Sequence, residues 1–487
     1  MFEQLGEKLT IGGILLIGAE VLALISVANA LMSTRSATGA WGWVMSLLAF
    51  PFLAVPAYWV FGRREFNGYG ERRKEALQKK EDLLETLIST LEPHYAKLDD
   101  KQEWYGGVLS KLSERRYTRG NEISLLKDGH ATFDEIFRII DSAEDYLLVQ
   151  FFILKADQLG ERLRLALINR AKAGVRIYLL YDEIGSYGLP KTYINSLREG
   201  GVAVRAFHST QGRSNRFQIN FRNHRKMVLA DGVVGTCGGH NVGNEYLGVS
   251  RIGNWRDTTV RISGPAAMSL QMVFLEDWYW AAREIPDFNW TQPVSNCCKE
   301  DGSDDMTVLV LPFGPVEHIV EGGTLYFLNA ISRAKERIWI ASPYFVPDHC
   351  IVSALQLASL RGVDVRIMIP SVPDKWTPYL ASFSFLEEME VTGVRVLRYG
   401  DGFMHQKAVL VDHDMASVGT ANLDNRSMRL NFEVNIVVMN RKFCDDVEAM
   451  FLADFEQCKH APLNEYRSQP WWFRIGVKLA RLAAPVL

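Results

Sequence analysis

His224-Arg225-Lys226 followed by Asp231, and His405-Gln406-Lys407 followed by Asp412, write one pattern twice: H-x-K-x4-D. The repetition runs on. A glycine follows each histidine by 14 residues (Gly238, Gly419) and an asparagine by 17 (Asn241, Asn422). The flanks repeat as well. Ala173-Gly-Val-Arg-Ile177 matches Val363-Asp-Val-Arg-Ile367 at an offset of 190, Gly201-Val202 matches Gly393-Val394 at 192, and the histidines are offset by 181. The first copy therefore carries about ten extra residues just before its motif, within Thr210 to Asn223. A duplicated unit folds the same way twice, so the chain must build two similar halves.

The halves read as α/β. Tyr146 to Ile153, Val175 to Tyr181, Arg337 to Ala341 and Val363 to Ile369 are buried strands by their apolar and β-branched runs. Glu161 to Ala173 and Ile351 to Leu360 are amphipathic helices between them. Each motif runs into a short apolar strand, Met227 to Ala230 or Ala408 to Val411, and each aspartate opens a turn. Side chains two apart on a strand share a face, so each histidine and its lysine are expected to point together.

The N-terminus has a different texture. Ile11 to Met32 is apolar except for Glu20, Ser26 and Asn29, and Ala40 to Phe61 is a second apolar run. Each is long enough to span a bilayer, with a short turn at Ser33 to Gly39. A second run following at once favours an anchor over a cleaved signal peptide. Only Arg35 lies in the turn, whereas Arg63, Arg64, Arg72, Arg73 and Lys74 follow the second run. The positive-inside rule then puts both ends and everything after the hairpin in the cytoplasm. Glu20 reads as facing the partner helix or protonated. The expected organisation is two transmembrane helices over 1–62 and a charged helical linker with solvated charges over 63–120. A first half over 121–284, an inter-half loop over 285–306, a second half over 307–465 and an amphipathic C-terminal helix over 466–487 follow.

The net charge of −3 argues against a general nucleic-acid binder. Cys237, Cys297, Cys298, Cys350, Cys444 and Cys458 show no C-x2-C spacing, which leaves free thiols and no zinc site. Two imidazoles and two ammoniums instead suit phosphoryl transfer without metal. One histidine attacks phosphorus and the other moves the proton. Lys226 and Lys407 offset charge on the phosphate oxygens, and Asn241 and Asn422 can donate amide hydrogens to them. Each histidine needs an orienting carboxylate. Glu433 is assigned to His405 and Asp257 to His224. Asp231 and Asp412 complete the motifs and read as braces of the turn.

At these residues the chain resembles the phospholipase D superfamily and, within it, the bacterial cardiolipin synthases. Besides the paired motif, the resemblance includes Phe61-Gly-Arg-Arg64 after the apolar runs, and Asn121 to Gly129 before the first strand. It also includes Ser342-Pro-Tyr-Phe-Val-Pro347 and Val418 to Ser427. It implies two similar α/β halves, each a mixed sheet flanked by helices, sharing one active site behind a transmembrane hairpin. It implies transfer of a phosphatidyl group from one phosphatidylglycerol to another through a phosphohistidine, at the inner membrane of a bacterium, with no metal or cofactor and no nucleic acid partner. His224 is the nucleophile by that resemblance and His405 the acid and base. A phospholipase D hydrolase, or another phosphatidyltransferase, would use the same residues. The acceptor and the oligomeric state stay open.

Two segments suggest further membrane contact. The tail from Trp471 to Ala484 places Arg474, Lys478 and Arg481 beside a stripe of Ile475, Leu479 and Leu482, which suits an anionic membrane surface. The extra loop of the first half carries Arg213, Arg216 and Arg222 with Phe217 and Phe221. His240, in Gly238-Gly-His-Asn241, departs from the family pattern and reads as a satisfied loop histidine.

Overall fold

A computed structural model describes residues 2–34, 36–62, 66, 68–79, 81–98, 100–208, 210, 219–288, 290, 305–316, 321–461 and 464–487. The chain divides into two compact units. One holds residues 1–67 and 209–221, the other 68–208 and 222–487.

In the first unit, Phe2–Ser33 is one helix, and its Gly13–Ser33 stretch is long and apolar enough to cross a membrane. The second apolar run is not the single helix expected. It is Ala37–Ala49, then Pro51–Ala57, then a π turn over Tyr58–Gly62. Pro51 is the cause: the residue before a proline is pushed out of the helical region, and Phe50 sits at φ −138°, ψ 61°. The broken run still folds back along the first helix. Ala23, Ser26 and Ala30 are buried, a small-residue stripe that lets backbones approach closely. Tyr58 Oη donates to Asn29 Oδ1 (2.7 Å) and Trp59 Nε1 to Ser26 Oγ (3.0 Å). Those bonds use two of the three polar residues in the first run. The third, Glu20, is exposed within this unit rather than facing the partner segment.

The second unit is built on one mixed sheet with sixteen strands among the described residues. From one edge the order is Cys458–His460, Arg395–Tyr399, Asp364–Pro370, Arg337–Ala341, Ala408–Val411, Met415–Gly419, Asn431–Met439 and Met306–Phe313. It continues with Thr118–Lys127, Thr258–Ser263, Val234–Gly238, Met227–Ala230, Tyr146–Phe151, Arg176–Asp182 and Ala203–Phe207. Read outward from the centre, seven strands follow the same order on the two sides, Cys458–His460 adds an eighth at one edge, and Arg222–Asn223, the sixteenth strand, pairs with Asn431–Met439 off this path. The seam is the antiparallel pair Thr118–Lys127 with Met306–Phe313, whose register places Thr118 opposite Val308. On each side the parallel strands are those that receive helical crossovers. Helices Gln158–Lys172, His349–Leu360 and Arg441–Glu456 start where Asp157, Asp348 and Asn440 accept a hydrogen bond from the first turn. Separate apolar cores fill the two halves. One gathers Leu147, Val149, Ile177 and Val228, and the other Ile338, Ile340, Ile367 and Val409.

The charged stretch after residue 68 departs from expectation. Its helices Tyr69–Lys79, Glu81–Leu91 and Asp100–Ser113 are present, but their charges are not merely solvated. Arg73 and Arg115 both reach Glu276 at 3.0 Å, and Tyr69 Oη donates to Asp277 Oδ1 at 2.6 Å. The segment is thereby fastened to the helix Pro265–Ala282 of the first half. Residues 291–304 of the inter-half segment, with Cys297 and Cys298, lie outside the described residues. So do residues 211–218 with Arg213, Arg216 and Phe217. The other four cysteines are free. At the C-terminus, helix Trp471–Leu482 buries Val477 and Ala480 and exposes Trp471, Trp472, Ile475, Leu479 and Leu482.

Candidate active site

Both motifs enter their site by exchanging a strand with the opposite half. Arg222–Asn223 pairs in parallel with Asn431–Phe432, and Phe403–Met404 pairs in parallel with Trp255–Arg256. The histidines come next. His224 N donates to Phe432 O (2.9 Å) and His405 N to Arg256 O (2.8 Å). After three residues outside any strand, Met227–Ala230 and Ala408–Val411 return to their own halves. The histidine and lysine therefore precede the strand rather than lying on it.

The exchange decides which carboxylate meets which imidazole. The residue after Phe432 is Glu433, and the residue after Arg256 is Asp257. Both Glu433 oxygens lie 3.0 Å from His224 Nδ1, and Asp257 Oδ2 lies 2.6 Å from His405 Nδ1. The sequence assignment is thus reversed: Glu433 serves His224 and Asp257 serves His405. Each half lends its acid to the other half's histidine. Both carboxylates are fully buried. Glu433 also accepts from Thr420 Oγ1 (2.5 Å) and Asn431 Nδ2 (3.1 Å), and Asp257 Oδ1 accepts from Thr258 N (2.7 Å).

The tautomer of His224 follows from a carbonyl. Thr420 O lies 3.1 Å from Nδ1 and can only accept, so Nδ1 carries the hydrogen and Nε2 keeps its lone pair. Burial lowers the His224 pKa to about 4, although Glu433 opposes the shift. His405 lies well below its ordinary range, driven by burial and then by the charges of Lys407, Lys226 and His224. Burial brings Lys226 down to about 7 and Lys407 to about 8. Burial alone would raise Glu433, yet the charges of His224 and Lys226 hold it below its ordinary value. These mutual influences bring both H-x-K pairs into one electrostatic cluster. Both histidine shifts favour the neutral imidazole. A phosphate diester adds negative charge, which raises the pKa of every cation around it.

The remaining motif residues divide by what they touch. Lys226 Nζ and Lys407 Nζ each donate to the carbonyl of their own histidine, and Lys407 Nζ also lies 3.7 Å from Asp257 Oδ2. Asn241 Nδ2 donates to Tyr246 Oη (3.1 Å) while its Oδ1 accepts from Ile153 N (3.1 Å). Asn422 Nδ2 donates to Asp424 Oδ2 (3.1 Å). Each amide retains a second hydrogen. Asp231 and Asp412 sit at the far ends of the two strands from the histidines. Asp231 accepts from the backbone N–H groups of Glu144, Asp145 and Tyr146, and Asp412 from those of Lys335, Glu336 and Arg337. Both adopt left-handed backbone, with φ of 54° and 50°. They brace turns, away from the chemistry. The middle residues anchor each motif from below. Arg225 Nη1 donates to Asp277 Oδ1 (2.8 Å), and Gln406 Nε2 donates to Asp454 Oδ2 (3.1 Å).

Sequence spacing did not reveal Thr420 or Tyr246. Tyr246 Oη lies 3.3 Å from His405 Nδ1, five residues beyond Asn241 and without a repeat counterpart at the second motif. His240 is only half satisfied: Nδ1 meets Thr259 Oγ1 at 2.9 Å, while Nε2 is buried with no partner among the described residues.

The family described as "Cardiolipin synthase, PLD-like domain" matches residues 136–278 and again 327–455, one match per half. A family described as "Phospholipase D-nuclease N-terminal" matches residues 21–63. Cardiolipin synthase A of Pseudomonas putida (strain GB-1) is 44% identical over 472 residues, which is 96% of both chains. Cardiolipin synthase A of Pseudomonas aeruginosa (strain UCBPP-PA14) is 43% identical over 478 residues, 98% of this chain and 96% of the relative. Among solved structures, the phosphatidylserine synthase of Haemophilus influenzae Rd KW20 superposes with a TM-score of 0.58 at 16% identity. It covers 80% of this chain and 100% of that one, a likeness of fold.

Proposed function

The chain belongs to the cardiolipin synthase family of phospholipase D-like enzymes, and from that membership we propose that it joins two phosphatidylglycerols into cardiolipin and glycerol. The observation that carries the mechanism is the crossed pair of imidazole–carboxylate contacts around one buried cluster. His224 Nε2, with its lone pair free, attacks the phosphorus of the donor lipid. A P–N bond forms and the P–O bond to glycerol breaks. His405, charged once the anionic diester is present, gives its Nε2 proton to the departing glycerol oxygen. The headgroup hydroxyl of the second lipid then attacks phosphorus and passes its proton to His405. The P–N electron pair returns to His224. Glu433 balances the positive imidazole of the intermediate, and Asp257 holds His405 in register. Lys226, Lys407 and the amides of Asn241 and Asn422 take the charge on the phosphate oxygens.

The enzyme works at a bacterial inner membrane as a multi-pass protein with its catalytic region in the cytoplasm. The arginines and lysine beyond Phe61, against one arginine in the preceding turn, support that orientation. The C-terminal helix supports contact with an anionic surface. Trp471 is 73% and Leu482 78% exposed, an outward stripe that the interfacial region of a bilayer would cover.

The test is lipid mass spectrometry on the full chain in phosphatidylglycerol vesicles, alongside His224→Ala and His405→Ala. Cardiolipin and glycerol from the wild type, absent from both variants, is the expected result. Phosphatidic acid without cardiolipin would make water the acceptor and sink the transferase reading.

A further inference from the structure

Beside Phe403, two residues before His405, lies a small cleft, wide enough for about one hydroxyl, that the mechanism above does not use. Its walls include Tyr344, Asp374, Lys375, Tyr379 and Phe403. Phe403 is shared with the site: its ring centroid is 5.9 Å from that of His405. The Tyr344 segment is stitched to the second motif. Phe345–Val346 pairs in parallel with Leu423–Asp424, directly after Asn422. Ser342 Oγ accepts from Leu423 N (2.8 Å) and donates to Tyr344 O (2.7 Å).

Within the cleft, Tyr344 Oη donates to Asp374 Oδ2 at 2.6 Å. The other oxygen, Oδ1, is shielded from solvent and has no hydrogen-bond partner among the described residues. A carboxylate oxygen left so costs free energy unless something donates to it. The neighbouring charges narrow what that donor is. Asp374 is close enough to Lys407 to raise its pKa, and Lys375 is close enough to His405 to lower its pKa. Lys375 Nζ also stands 5.9 Å from the Tyr344 ring centroid. Lys407 and Lys375 both repel a further cation in this region, so a cationic headgroup is disfavoured. A neutral hydroxyl is not.

We propose that Asp374, oriented by Tyr344, determines acceptor specificity: its Oδ1 accepts a hydrogen bond from the hydroxyl adjacent to the attacking one, selecting a vicinal diol such as a glycerol headgroup. This deepens the proposed function and rests on it. The same contact explains how a lipid alcohol competes with water for the phosphohistidine. Water has no second hydroxyl to spend on Asp374.

The experiment uses the full chain in phosphatidylglycerol vesicles, with 1,2-propanediol, 1-propanol or ethanolamine added at equal concentration. Wild type is expected to capture the diol roughly tenfold over either competitor, the worth of one hydrogen bond to a charged acceptor. Asp374→Ala is expected to erase that preference and lower the cardiolipin-to-phosphatidic acid ratio by about the same factor. Tyr344→Phe, which keeps the carboxylate but frees it, falls between. A wild type that takes 1-propanol as readily as the diol overturns the inference, and so does an Asp374→Ala variant with the wild-type ratio. Should Asp374→Ala yield neither product, the wild-type competition decides alone. Wild type that makes phosphatidic acid and never cardiolipin instead defeats the transferase reading, a distinct outcome.

Discussion

Removing the charge of Glu433 tests the exchange between halves directly. Glu433 is fully buried and meets His224 Nδ1 with both oxygens at 3.0 Å. Glu433→Gln keeps the volume and the contact with Thr420 but deletes the carboxylate facing an imidazole that becomes positive on attack. Losing one partner of a buried hydrogen-bonded charge pair costs about 3–5 kcal/mol, or roughly 10² to 10⁴ in rate. Asp257→Asn is expected to cost as much overall, but at a different step. The assay uses phosphatidyl-p-nitrophenol, whose leaving group needs no proton. In Asp257→Asn, His224 and its Glu433 are intact, so one equivalent of nitrophenol is released in a burst. Turnover then stalls, because His405 must activate the acceptor. In Glu433→Gln the burst itself is lost. A burst from Glu433→Gln and none from Asp257→Asn would refute the crossed pairing with His224 as the nucleophile.

Other outcomes follow from the same geometry. kcat/KM is expected to fall as pH rises through about 7, where Lys226 gives up its proton, and a profile flat to alkaline pH would detach that ammonium from catalysis. Lys226→Met, though inactive, is expected to raise Tm at pH 7, since the folded site disfavours the ammonium that the unfolded chain keeps. The sign is set by a folded pKa of about 7 against an ordinary 10.5: the unfolded chain holds more protons in that window, so folded wild type gains stability as pH rises. The advantage of Lys226→Met therefore fades toward pH 10.5 in denaturant titrations, and an advantage independent of pH would contradict the burial argument. Asp231→Ala is expected to lose about 1–3 kcal/mol of stability by thermal melting, through the loss of three backbone hydrogen bonds to a charged acceptor. Asp231→Asn, which tolerates left-handed backbone and still accepts, is expected to recover part of that loss.

What the sequence made legible is whatever spacing or periodicity encodes. The doubled H-x-K-x4-D pattern located both histidines, both lysines and the paired halves, and the Asp-Gly and Asp-His turns announced the bracing role of Asp231 and Asp412. The apolar strands Met227–Ala230 and Ala408–Val411 emerged with those boundaries. The carboxylate partners did not, because two-residue strands that cross between halves leave no period in the chain. Assigning Glu433 to His405 and Asp257 to His224 kept each acid within its own half, and tertiary pairing reverses it. The break in the second apolar run was written in Pro51, which hydropathy alone ignores. Tyr344 and Asp374 are thirty residues apart and meet only because parallel strands bring their loops to one end of the sheet.

The central seam has a consequence for how such a chain is assembled. Thr118–Lys127 and Met306–Phe313 run antiparallel, each against its counterpart, so the junction has the self-complementary geometry of a twofold dimer contact. A half made alone would present that strand as a bare edge, which pairs readily with an identical copy. Two such copies would also have to trade their short strands, and only then would each histidine find an acid. Severing the covalent link between halves is thus expected to turn a unimolecular active site into a concentration-dependent one, with activity rising as the square of fragment concentration when fragments are dilute.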